Sequence, residues 1–550
     1  MLKHTKDWFK KLVIYQIYPR SFQDSNGDGI GDLQGICQRL DYLKELGINA
    51  IWLSPVYASP NVDNGYDISD YQEIMNEFGT LEDWEELVEM AHARGIAVIM
   101  DLVLNHTSDK HRWFQESRKS KKNSFSDYYI WKDPGPDGCP SMWKSTFGGS
   151  AWEYVPERGQ YYLHSFAKEQ PDLNWENPAV RSEIYKMIRW WVDKGVDGFR
   201  IDAISYLDKG FDKMLQDDTR TATAACTNFP GTHRYIQEMI AATCSKENLM
   251  TVGEISCKTL EDYYDYVAAE RGEFNMAIPF VLPIDELSNW SVQRMKVDIN
   301  STYEKLKGNG WWARFLSNHD KPRQVSLYGD DEMFWEPSAK MLAALMQTLP
   351  GTPFIYQGEE IGMTNIYFQS IDEYNDIDTK GSYHSFLEEG MEESEAMRLA
   401  GLISRDNARS PMQWDAGIYA GFSSSTPWLP INSNFQSINV EEQKKRPDSI
   451  YAFYKELISL RKENKVLVDG DYTPILEENE TLIAYTRSLD KTVWVILHNF
   501  SSELCQVRLD RGNLKGTIIL SNYGRAGMVE DMIECMISYA VSALYYHTKF

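Results

Sequence analysis

A (β/α)8 barrel with a small inserted domain and a C-terminal antiparallel β domain is the fold this chain predicts. Three observations predict it: eight short apolar runs, amphipathic stretches between them, and polar residues where the runs end. The runs are LVIYQIYP (12–19), NAIWLSP (49–55), IAVIMDLVLNH (96–106), VDGFRIDAI (196–204), LMTVGEI (249–255), FNMAIPF (274–280), ARFLSNHD (313–320) and TPFIYQGEE (352–360). Runs apolar throughout suit strands buried on both faces of a parallel sheet, with the intervening helices covering it. Eight such units favour a closed barrel over an open doubly wound sheet. Between them, LQGICQRLDYLKELG and LEDWEELVEMAHARG have helical periodicity, and each ends in a Gly suited to a helix C-cap.

Two connections are too long for simple loops. The first, 106–177, is rich in Trp, Tyr and Gly and carries the hairpin-like WEYVPERGQYYLHSF; the second, 362–430, contains an acidic helical stretch. From 469 the pattern changes to strand alternation, as in TLIAYTRSLDKTVWVILHNF. The expected domains are thus a barrel (1–105 and 176–468), an inserted domain (106–175) and a C-terminal β-sandwich (469–550).

The net charge of −25 disfavours nucleic acid and anionic membranes as partners and favours a neutral substrate. The 17 Trp and 32 Tyr serve core packing and sugar stacking equally well. No segment is long and apolar enough for an export signal or a membrane span. The seven Cys form neither close pairs nor zinc-ligand spacing. A cytoplasmic protein with reduced thiols is therefore expected, as a monomer or small homo-oligomer.

The strand ends carry the chemistry. Arg200 and Asp202 in GFRID are two apart and share one face of a strand. Glu254 ends the MTVGE run, and His319 with Asp320 ends RFLSNHD. Cleaving an acetal requires a proton donor on one side of the anomeric carbon and a carboxylate on the other. Asp202 beside a cation is expected to have a lowered pKa and to act as nucleophile. Glu254 on an apolar tip is expected to have a raised one and to act as acid/base, with Asp320 supporting the cationic transition state.

In SPNVDNGYDISDY, which ends at Tyr71, Tyr66 offers a stacking face and Asp63 a hydroxyl acceptor. Arg405 of RDNARSPMQWD is a partner for Asp63; together they would close the pocket floor and make cleavage exo-acting. Phe147 and Phe166 are candidate pocket walls. The DSNGDGIGD loop repeats Asp24, Asn26 and Asp28 at every second position, with the Ile30 carbonyl and Asp32 following. That spacing matches the first part of an EF-hand loop without its terminal Glu, and implies a structural Ca²⁺, with Mg²⁺ the second choice. No organic cofactor is expected.

DLVLNH (101–106), GFRIDAI, VGEI and FLSNHD resemble, in order, the main conserved regions of the α-amylase superfamily, glycoside hydrolase family 13. QPDLNW (170–175) resembles a further region as carried by the oligo-1,6-glucosidase and α-glucosidase subgroup. The resemblance implies Asp202 as nucleophile, Glu254 as acid/base and Asp320 as transition-state stabiliser. It places Arg200, His106, His319, Asp63, Tyr66 and Arg405 around the glucose, and the calcium loop at Asp24 to Asp32. Ala203, where subgroup members favouring α-1,6 bonds usually have Val, tilts the expectation to α-1,4 bonds in maltose and short malto- or isomalto-oligosaccharides, with transglycosylation as a side activity. An isomaltase, a sucrose-cleaving enzyme and a trehalose-6-phosphate hydrolase are the alternatives; for the last, no Lys/Arg cluster lies beside the motifs. VLPIDELSNW (281–290) lacks the Arg-rich motif of sucrose isomerases. Intact carboxylates and no membrane span argue against an inactive transporter-associated relative.

Overall fold

A computed structural model describes residues 4–136, 138–210, 219–279, 290–503, 505–508, 516–523, 528–529, 532–535 and 541–547. Eight strands form the central sheet: β1 (Ile14–Ile17), β2 (Ala50–Leu53), β3 (Ala97–Val103), β4 (Gly198–Asp202), β5 (Met250–Ile255), β6 (Met276–Pro279), β7 (Ala313–Arg314) and β8 (Thr352–Tyr356). Their order is β6-β5-β4-β3-β2-β1-β8-β7 with every pairing parallel, a nearly closed barrel.

The barrel interior explains why polar residues collect at one end. Ile14, Ala50, Trp52, Ala97, Ile99, Met250, Val252, Met276, Ile278, Ala313 and Phe354 pack into a single buried cluster. Side chains alternate along a strand, so the next inward positions beyond that apolar plug are Gln16, Asp101, Arg200 with Asp202, and Glu254, all buried. The strand register sets Asp101 beside Arg200 and Val103 beside Asp202. Gly198 has no side chain because a Cβ there would lie 2.5 Å from the Met250 carbonyl oxygen.

The helices follow their sequence signals. Helix α1 (Leu33–Leu46) is N-capped by Asp32, whose side chain accepts from the Gly35 N–H, and it ends at Gly47 with φ 103°. Helix α2 (Leu81–Ala93) starts with a Thr80/Asp83 capping box; Arg94 caps it, and Gly95 (φ 69°) takes the left-handed turn just beyond. One expectation needs correction, and another falls partly outside the described residues. β7 spans only Ala313–Arg314, so His319 and Asp320 sit in the turn after the strand rather than on its tip. FNMAIPF and VLPIDELSNW run into residues 280–289, which lie outside the described residues.

The insertion after β3 carries a three-stranded antiparallel sheet, with Gln160–Leu163 between Trp131–Lys132 and Trp152–Val155. Its apolar cluster includes Ala222 and Cys226 from beyond β4, which anchors the insertion over the barrel rim. The acidic stretch after β8 forms two helices, Ile377–Glu388 and Glu393–Ile403. In the C-terminal region Leu482–Leu489 and Thr492–Asn499 pair antiparallel, and Val541–His547 from the atypical chain end lies against the second of them.

Candidate active site

A cavity of about 940 Å³ opens over the polar end of the barrel and is lined by Asp202, Glu254, Asp320, Asp63 and Arg405 among others. At its floor one guanidinium joins three strands. Arg200 Nη1 donates to Asp101 Oδ1 and to Asp202 Oδ1, both at 2.8 Å, while Nη2 pairs with Glu254 Oε1. Three carboxylates share one buried cation, so the charge does not cancel. Burial pushes the Asp101 carboxyl up to about 6 against the pull of Arg200. Asp202 is raised well above the ordinary carboxylate range, first by burial and then by the neighbouring Glu254. This corrects the expectation of a lowered Asp202: the guanidinium opposes the shift but is outweighed. Asp202 therefore holds its proton to higher pH than an ordinary carboxyl does. Glu254 Oε2 also accepts the Ala203 N–H at 2.8 Å, and Ala203 presents that N–H from a left-handed backbone with φ 45°.

His319 is wholly buried and lies parallel to Tyr66, with ring centroids 5.5 Å apart. Its Nε2 is 2.5 Å from the Tyr66 hydroxyl and 3.0 Å from Asp320 Oδ2, and its Nδ1 is 2.8 Å from Gln16 Nε2. Burial lowers the imidazole to about 3, so the ring is neutral at physiological pH. Burial also acts to raise Asp320, but His319, Arg409 and Arg405 hold it far below the usual range. Because the ring is neutral above that low pH, the guanidinium groups supply the field there. Arg409 Nη2 donates to Asp320 Oδ1 at 2.8 Å, and Arg405 Nη1 stands 3.7 Å from the same atom.

Asp63 and Arg405 do face each other, but at 3.7 Å; the close partner of Arg405 is Asp376, 2.8 Å from its Nε and 2.6 Å from its Nη2. Asp63 Oδ1 is buried and makes no hydrogen bond among the described residues, which leaves it available to a hydroxyl-rich ligand. Burial pushes Asp63 up to about 6, against Arg405 and Arg409. His106 follows β3 at 3.1 Å from the Gln170 amide nitrogen, which also donates to Asp63 Oδ2 at 3.1 Å. Phe166 stands 5.2 Å from the His106 ring and 5.9 Å from Phe147, and the Arg405 guanidinium lies 5.7 Å from the Phe147 ring, so both phenylalanines are pocket walls.

All eleven residues expected at the site thus converge on it. Residues not singled out from the sequence are Asp101, which shares Arg200; Asp376, which orients Arg405; Arg409, which neutralises Asp320; and Gln170, which donates to Asp63 beside His106. Arg409 carried a signal, since it lies four residues beyond Arg405 in the same motif; Asp376 lies far from every motif. Lys258 and Lys321 also line the cavity, two amines brought there from separate loops.

The Asp24–Asp32 loop lies apart from this cavity. Asp24 Oδ1 accepts the Asn26 and Gly27 N–H groups, Asn26 Oδ1 that of Asp28, and Asp28 Oδ1 that of Ile30. These successive turns curl the loop. Asp32 is also committed, to Gly35 and Ser25. Among the described residues no group of three or more His, Cys, Asp or Glu stands out as a metal cluster. The donor set, three carboxylates, an amide and a carbonyl, has the all-oxygen chemistry that suits a hard cation.

A deep cavity over the strand ends of a parallel barrel, floored by paired carboxylates and lined by neutral imidazoles and aromatic rings, defines a carbohydrate-cleaving enzyme. Residues 16–470 match the α-amylase catalytic domain family, to which the chain belongs; it is a glycoside hydrolase. It is 48% identical to an oligo-1,6-glucosidase of Parageobacillus thermoglucosidasius over 533 residues, covering 94% of this chain and 95% of that protein. Among solved structures, a trehalose-6-phosphate hydrolase of Bacillus licheniformis superposes with a TM-score of 0.93 at 43% identity, covering 98% and 100% of the two chains. An isomaltulose synthase of Protaminobacter rubrum gives 0.94 at 41% identity, covering 99% and 100%.

Proposed function

We propose that the protein is a retaining, exo-acting α-glucosidase that releases terminal glucose from maltose and short oligosaccharides, with α-1,4 bonds preferred. The observation that carries the reading is the pair Asp202 and Glu254 bound to a single buried Arg200 at the cavity floor. Two carboxyls with one retained proton supply both an acid and a nucleophile. As a glycosidic oxygen approaches Glu254, the proton moves to that residue and on to the leaving oxygen. Asp202 meanwhile bonds to the anomeric carbon, giving a glucosyl ester. Glu254, now ionised, takes a proton from water, whose oxygen displaces Asp202 and restores the starting configuration. Asp320, kept ionised by Arg409, faces the positive charge that develops on the sugar ring. A sugar hydroxyl replacing water in the second step accounts for transglycosylation.

Asp63 and Arg405 bind the non-reducing end and block extension of the chain beyond it, which makes the action exo. Ala203 is the basis of the α-1,4 preference, since it leaves room beside the nucleophile. A second reading, isomaltose as the better substrate, is favoured by the resemblance to an oligo-1,6-glucosidase. We also assign a structural Ca²⁺, or Mg²⁺, to the oxygens of Asp24, Asn26, Asp28, Ile30 and Asp32. There it would hold the loop after β1 and take no part in the chemistry.

The test is a hydrolysis panel of maltose, maltotriose, isomaltose, sucrose and trehalose-6-phosphate, with the first-formed anomer read by NMR. α-Glucose from maltose at the highest rate is expected. β-Glucose would end the retaining mechanism, and faster isomaltose cleavage would hand the preference to the second reading.

A further inference from the structure

We propose that Lys209 is a positioning residue that fixes His106 as an Nε2–H donor at the glucose-binding end of the cavity. The proposal rests on the reading of His106 as a sugar-binding residue and adds how that residue is set.

Lys209 is a buried cation that does not line the cavity. Its ammonium lies 2.6 Å from Asp172 Oδ2 and donates to Asn105 Oδ1 at 2.8 Å. An ammonium only donates, so this contact settles which end of the Asn105 amide is oxygen. The amide nitrogen then has two hydrogens to place. One goes to Asp172 Oδ1 and the other to His106 Nδ1, each at 3.3 Å. Accepting at Nδ1 leaves the imidazole proton on Nε2, where the Tyr66 carbonyl, 3.2 Å away, can only accept. The Asn105 amide and the Tyr66 carbonyl thus agree on one tautomer, and they set it against the Gln170 amide nitrogen, 3.1 Å from Nε2, which as a donor would favour the other.

In that form Nε2–H and the Gln170 amide nitrogen, 3.1 Å apart, are both donors, so they share no hydrogen bond and are left to an outside acceptor. The Gln170 amide is oriented by the Ala167 N–H, which donates to its oxygen at 3.0 Å, so its nitrogen faces His106 and Asp63. His106 and Gln170 are then donors beside an acceptor, Asp63 Oδ1, that makes no hydrogen bond among the described residues. A sugar hydroxyl can accept from the first two and donate to the third. The same network reaches the inserted region, where Asp172 accepts from the Ser165 N–H at 2.9 Å. Lys209 therefore ties together the loop after β3, the insertion and the loop after β4.

The experiment reads the tautomer directly, by ¹⁵N NMR of histidine-labelled full-length protein, with His106 assigned by its loss in His106→Gln. Nε2–H is expected in the unaltered protein. Lys209→Met should give a mixture and raise KM for an α-glucoside about tenfold, with kcat changed far less. Removing the cation leaves Asp172 buried without its partner, which threatens folding, so a second variant retains the lysine. Asn105→Asp offers only acceptors to the ring and should move the proton to Nδ1 while Lys209 keeps an anionic partner. An Nδ1–H form in the unaltered protein, or Nε2–H persisting in both variants, overturns the proposal. A tautomer that moves with KM unchanged overturns the role in binding. Absence of glucosidase activity in the unaltered protein strikes the functional reading instead, because the tautomer is read without substrate.

Discussion

Asp197 and Asp202 bracket the same strand, β4, yet stand in opposite surroundings. At the strand's start, Asp197 is 2.7 Å from both His4 Nε2 and His92 Nε2 and accepts the Val98 N–H at 2.8 Å. Burial alone would raise its carboxyl, but the bonds from His4 and His92 outweigh it and the net direction is down. At the strand's end, Asp202 shares its cation with two other acids and is driven up. The difference teaches where each end of the barrel spends its polar groups. One end satisfies its acid and is held together by it; the other keeps acids in excess over their cation, ready for chemistry.

Breaking each acid separates the two roles. Asp202→Asn should cut turnover by at least about 10⁴-fold, as loss of a nucleophile does in enzymes generally. Its carboxyl has a folded pKa above the unfolded one, so the ionised form costs stability above that pKa, and the amide removes the cost. Calorimetry at pH 7 should therefore show a Tm equal to or above that of the unaltered protein. A fall in Tm would make Asp202 a structural acid like Asp197.

Asp197→Ala should do the reverse, losing about 3–5 kcal/mol in urea unfolding with kcat nearly unchanged. The folded pKa of Asp197 is depressed. Its contribution is thus present above the ordinary carboxylate value and lost as pH falls through the folded one. The gap between the variant and the unaltered protein should close in acid; a gap that widens there would contradict the pairing.

Ala203→Val probes the backbone beside the chemistry. A branched residue at φ 45° is strained by about 1–2 kcal/mol, visible as a lower Tm. The ratio of maltose to isomaltose cleavage should fall a few-fold; an unchanged ratio would remove the steric basis of the linkage preference. The smallest effect concerns the Asp24–Asp32 loop. A chelator should lower Tm by about a few degrees, a loss of order 1 kcal/mol, with activity at 25 °C retained. An unaltered Tm would leave that loop to its own hydrogen bonds.

Much of the site was legible because its residues end apolar runs, and a strand of known direction delivers its last side chains to one rim. Arg200, Asp202 and Glu254 were visible on that ground, Arg405 was read as a partner for Asp63, and the motif resemblance added His106. Arg409 was the missed member of a motif already quoted. Asp376 had no signal, because its contact with Arg405 forms between an acidic insertion and a motif 29 residues further along. The Asp202 shift was misread for a related reason. Sequence places Arg200 two positions away, but not Glu254 across the strand boundary or the burial that both acids undergo.

The chain itself determined the barrel, its insertion and the rim on which chemistry collects, since hydrophobic period and strand-end polarity are local properties of the sequence. The tertiary structure decided the charge states: which acid shares a cation, which has one to itself, and which arginine holds which aspartate. Those outcomes depend on distance and solvent exclusion between residues remote in the chain. A carboxylate's pKa answers to the whole surrounding field rather than to its nearest neighbour in sequence.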